Sequence, residues 1–147
     1  MKITVTVETL NQQFKFVCRA HKSASARSRL IDPYFYEKYC APGKIPKGVH
    51  YELELKTEVW SHQYARHIHY YVTPKTHTHP DRTFVCWTGH IPDIKAARAV
   101  FRMWCLITTY TMIKGQDVAK IPGFPKAPSD IVAWMANEHH IKVLRER

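Results

Sequence analysis

Residues 2–9 alternate Ile3, Val5 and Val7 with Lys2, Thr4, Thr6 and Glu8. Successive side chains of a strand point to opposite faces, so strict alternation specifies a half-buried strand. The pattern resumes over 13–20, where Phe14, Phe16 and Cys18 alternate with Lys15, Val17 and Arg19, and Leu10-Asn11-Gln12 between the two runs predicts a hairpin with one buried face. It recurs over 50–59, with Tyr51, Leu53, Leu55, Thr57 and Val59 against His50, Glu52, Glu54, Lys56 and Glu58. Residues 61–64 then predict a reversal, 65–73 a returning strand, and 82–89 a fifth, more central strand.

The period changes at Pro92-Asp93, which predict the start of a long helix ending near Ile113, before Gly115. At 100° per residue, Ile94, Ala97, Phe101, Trp104, Cys105 and Met112 share a stripe, flanked by a basic ridge of Lys95, Arg98 and Arg102. Residues 121–128 form a proline-rich connector, and Ser129-Asp130 predicts the cap of a last short helix through Ile131, Val132, Trp134 and Met135. The charged residues 138–147 read as a continuation of that helix or a frayed end. Residues 22–43, small and basic to Arg29 and then aromatic through Tyr34, Phe35, Tyr36 and Tyr39, read as a short helix and a loop. The predicted class is α+β: an antiparallel sheet of about five strands with helices packed mainly on one face, in a single domain over residues 1–147.

Lys and Arg number 22 against 12 Asp and Glu, a formal charge of +10 with ten histidines besides. A field of that sign concentrates anionic partners, although net charge also serves solubility alone. Cys18, Cys40, Cys86 and Cys105 form no C-x-x-C pair, and residues 1–4 lead into a strand rather than a signal peptide. Reduced thiols and a cytoplasmic location are the expectation. No run approaches the ~20 apolar residues of a membrane span, so no membrane partner is expected.

Arg66-His67-Ile68-His69-Tyr70-Tyr71-Val72 is followed shortly by His77-Thr78-His79. Histidines two apart on a strand share a face, and neutral imidazole is a common ligand for divalent ions. A reversal centred on His62-Gln63 would set Glu58 opposite His67, giving two imidazoles and a carboxylate with open positions for a water or phosphate oxygen. The same residues also suit the wet face of an ordinary sheet. His77 and His79 lie in a polar turn and read as solvated.

This run resembles the His-hydrophobe-His strand of the HUH endonucleases, the rolling-circle initiators, relaxases and small transposases that nick single-stranded DNA. The resemblance covers residues 50–115. It implies a five-stranded antiparallel sheet, Mg²⁺ or Mn²⁺ held by His67 and His69 with Glu58, and a helical tyrosine that attacks the scissile phosphate. Tyr110 stands at a separation similar to that in small viral initiators, with Lys114 to orient the phosphate or a metal-bound water. The family's pattern is Tyr-x-x-Lys, whereas Lys114 follows Tyr110 by one residue more; both spacings share a helix face. No counterpart of the initiators' first motif occurs in residues 1–15, and the apolar helix around Tyr110 equally suits a core tyrosine packed with Leu53, Leu55, Ile68 and Tyr70.

A second constellation needs no metal. Lys15, Arg19, Lys56, His67, His69 and Tyr71 on an open sheet face would combine charge for phosphates with a ring for stacking, with Lys95, Arg98 and Arg102 as a further basic strip. The expected function is nucleic-acid binding, single-stranded DNA favoured, with metal-dependent nicking as its sharpest form. The alternative is a non-enzymatic basic binding or inhibitor protein of phage or mobile-element type, acting on nucleic acid, an acidic protein or a nucleoprotein complex. A metal-independent ribonuclease using His67 or His69 with Lys56 stays open.

Overall fold

The structure, a computed structural model, describes residues 1–23, 50–56, 85, 91–115, 121–125 and 127–147. Its elements are β1 (Lys2–Glu8), β2 (Gln13–Ser23), β3 (His50–Leu55), α1 (Ile94–Lys114), α2 (Pro128–His139) and β4 (Lys142–Glu146). The described strands form one antiparallel sheet in the order β3-β2-β1-β4 within an α+β fold.

The β1–β2 hairpin forms where alternation predicts it. Lys2 pairs with Arg19 and Glu8 with Gln13, and the reversal is fixed by Thr9, whose Oγ1 accepts from the amides of Asn11 and Gln12. Ile3, Val5 and Val7 meet Cys18, Phe16 and Phe14 across the pair, and all six are fully buried. Leu53 continues this face onto β3, and Leu55 packs against the same core. Burying an aliphatic or phenyl side chain contributes roughly 1.5–3 kcal/mol, which makes this apolar layer the main source of stability.

α1 covers that layer. Trp104 meets Phe16 edge-on at 5.6 Å between ring centroids and stacks on Phe101 at 5.8 Å. The helix begins and ends where local chemistry directs. Asp93 accepts from the Ala96 amide at 2.7 Å, and Gly115, at φ 65°, donates its N–H to the Thr111 carbonyl. The left-handed conformation there favours glycine.

Three expectations are revised. The described sheet has four strands, not about five, and its fourth lies in the charged tail read as helix or frayed end. β4 pairs with β1 through Val143 and Glu146, with a bulge at Leu144. Of residues 82–89 only Val85 is described; its amide donates to the Leu53 carbonyl at 3.0 Å, on the side of β3 away from β2. Ser129 and Asp130 do not cap α2: the cap is Ala127, without a side-chain bond, and Pro128 opens the helix because its fixed φ suits the first turn. The returning strand 65–73 lies outside the described residues.

Candidate nucleic-acid interface

Register decides which side chains share the face turned away from α1. Thr6 stands between Arg145 of β4 and Lys15 of β2, and Thr4 stands between Arg147 and Val17. The Thr4–Arg147 pair exchanges both backbone hydrogen bonds, at 2.9 and 2.8 Å. Lys56 follows on beside Val17, to whose carbonyl it donates its amide at 2.8 Å. Lys2 stands beside Arg19, which stands beside Glu54. Lys2, Lys15, Arg19, Lys56, Arg145 and Arg147 are all exposed. Alternation that buries Ile3, Val5, Phe14 and Phe16 therefore places these cations together on the opposite side.

The carboxylates on this face are engaged. Glu54 meets Lys56 Nζ at 2.6 Å and His21 Nε2 at 3.7 Å. Partial burial acts to raise its pKa, but the hydrogen bond and charge of Lys56, with His21, hold it below the ordinary 4.5. Glu8 meets Lys142 at 3.7 Å. Glu52 is only 3% exposed, opposite His21. The freest cationic ground thus runs over β4, β1 and β2.

The predicted residues fall into separate groups. Lys15, Arg19 and Lys56 come together on this face. Lys95, Arg98 and Arg102 lie on α1: Lys95 is exposed, while Arg98 and Arg102 reach Glu146 of β4 at 3.6 and 2.7 Å. That ridge ties a helix to an edge strand. Sequence reasoning missed Lys2, Arg145 and Arg147; the alternation of β1 marked Lys2, but nothing marked β4 as a strand.

Tyr110 belongs to the helix side. It is 4% exposed and part of the core, with its ring 4.9 Å from His139 and 6.0 Å from Trp134 of α2. Burial pushes its phenol above the ordinary 10.0, away from the phenolate a nucleophile needs. Lys114, one turn on, is exposed. Burial, reinforced by the Lys114 charge, holds His139 below 6.5, with Glu138 opposing. The apolar layer and the sheet thus separate Tyr110 from Lys15, Arg19 and Lys56.

His67, His69, Glu58 and Tyr71 lie outside the described residues, as do Ile68 and Tyr70. Among the described residues no group of three or more His, Cys, Asp or Glu could hold a metal ion, and no helix is long and apolar enough to cross a membrane. In comparisons with known proteins, no family model matches the chain, and neither does a curated protein or a solved structure.

Proposed function

We propose that this protein binds nucleic acid through its phosphate backbone, single strands preferentially, along the sheet face opposite α1. One observation carries the reading: Lys2, Lys15, Arg19, Arg145 and Arg147 are exposed on one face of β1, β2 and β4, with Lys56 at its border. Each phosphate that such a cation contacts releases condensed counterions. A sheet face suits an unstacked strand, whose bases can splay outward. Nicking by Tyr110 finds no support among the described residues, because the phenol is packed against α2 on the other side of the sheet.

Fluorescence anisotropy with labelled oligo-dT, oligo-U and a duplex, over a salt series, tests the reading. Affinity should fall with the logarithm of salt at a slope of about −0.7 per phosphate contacted, favour single strands, and persist in EDTA. Polyglutamate that competes equally well would reassign the face to acidic proteins. A covalent adduct formed with Mn²⁺ and lost in Tyr110→Phe would replace simple binding with nicking.

A further inference from the structure

β2 outruns β1. Lys2 pairs with Arg19 and Met1 exchanges hydrogen bonds with Ala20, but β2 continues beside β3 to Ser23, with Lys22 opposite Tyr51. A cavity of about 470 Å³ opens there, lined by Arg19, His21, Lys22, Tyr51, Ile94 and Met1. That volume is within the roughly 300–1,000 Å³ of small-molecule sites. Its wall is divided chemically. Arg19 and Lys22 are exposed cations on opposite faces of β2, Lys22 on the side of Tyr51. Tyr51 and Ile94, both half-buried, supply a ring and an aliphatic surface from β3 and the first turn of α1.

We propose that this cavity binds a nucleotide phosphomonoester, with the phosphate at Lys22 and the base against Tyr51, its cross-strand neighbour on the same side of the sheet. The assignment rests on the nucleic-acid reading above, because Arg19 belongs both to the cationic face and to the cavity wall. A strand lying along that face would bring its terminal nucleotide to the cavity by turning over the end of the sheet beside Met1. A terminal phosphate carries nearly two charges at neutral pH, against one for an internal diester, and among the described residues no carboxylate lines the cavity. Glu54 stands opposite Arg19 and 3.7 Å from His21 Nε2 on the other face of the sheet, which leaves Lys22 as the phosphate ligand. The ring of Tyr51 offers a stacking surface that tolerates any base.

Two sources share this chemistry, the phosphorylated end of a strand and a free mononucleotide, and the experiment separates them. Oligonucleotides bearing a 5′-phosphate, a 3′-phosphate or hydroxyl ends are compared by anisotropy, while AMP and inorganic phosphate are compared by thermal shift. One phosphorylated end should bind about tenfold tighter than the hydroxyl form, as expected for added charge-assisted hydrogen bonds. Lys22→Ala should erase that preference and Tyr51→Leu reduce it, whereas Lys15→Ala should weaken all oligonucleotides alike. Equal affinity for every end, with salt-sensitive binding intact and no AMP shift, overturns the cavity assignment and leaves the open face standing. If no oligonucleotide binds, the broader reading fails; an AMP shift lost in Lys22→Ala then keeps the cavity as a mononucleotide site, and its absence overturns it. Inorganic phosphate matching AMP overturns base recognition.

Discussion

Thr108, Thr109 and Thr111 are all buried in α1. Thr109 donates to the Cys105 carbonyl at 2.7 Å and Thr111 to the Ile107 carbonyl at 3.0 Å, each bonding back one turn. Among the described residues the Thr108 hydroxyl has no partner. An unsatisfied buried hydroxyl is destabilising, and valine has nearly the same shape, so Thr108→Val should raise unfolding stability by about 1 kcal/mol in urea titration. The neighbouring thiols are inert for a related reason: burial is the largest influence on Cys18 and pushes it up to about 12, and burial raises Cys105 as well. His139 offers a pH test. Its folded pKa lies below 6.5, so the unfolded chain takes up the proton more readily as pH falls. Its contribution is complete above pH 6.5 and is lost as pH falls through the folded value. Melting temperature should decline over that window in the native chain and decline less in His139→Gln; equal slopes would remove His139 as the cause.

The elements differ in how far the sequence reveals them, and the difference is physical. β1, β2 and α1 are specified locally, by alternation and by a cap at each end of the helix, so they are readable in the chain, although β2 runs on to Ser23, past the predicted end at residue 20 and into the segment read as helix and loop. In β4 the bulge leaves Leu144 39% exposed and breaks the alternation, and the strand is held by distant partners. Its Glu146 shares the helix-side face with Val5, which brings the carboxylate to Arg98 and Arg102. Nothing near Glu146 in the chain announces that contact. The aromatic packing of Tyr110, Trp134 and His139 was hidden for the same reason, since it depends on how two helices meet. Glu146→Gln should destabilise the protein by about 1 kcal/mol, a value for an ion pair at the rim of the core rather than within it. Added salt should shrink the difference between the two proteins; a difference indifferent to salt would point to packing instead.

On the scale of the whole molecule, one sheet separates two chemistries. Apolar side chains meet α1 on one side, and exposed Lys and Arg occupy the other, so the net charge of +10 is partly organised rather than evenly spread. The cationic half of that division was visible in the alternation, as Lys15, Arg19 and Lys56; its extension to Arg145 and Arg147 required the fold. If the face acts as one surface, Lys15→Ala and Arg145→Ala should each lower the magnitude of the salt slope by about 0.7, with no change in melting temperature beyond a few tenths of a kcal/mol in stability. A salt slope unmoved by either would detach these residues from binding.

The pairing of Thr4 with Arg147 joins the start of the described chain to its end. A growing polypeptide can close the β1–β2 hairpin early, but one border of β1 must wait until residues 142–147 have been made. Until then its backbone offers hydrogen bonds to any passing strand, so nascent chains of this protein have a built-in interval of vulnerability to mispairing that closes when β4 docks.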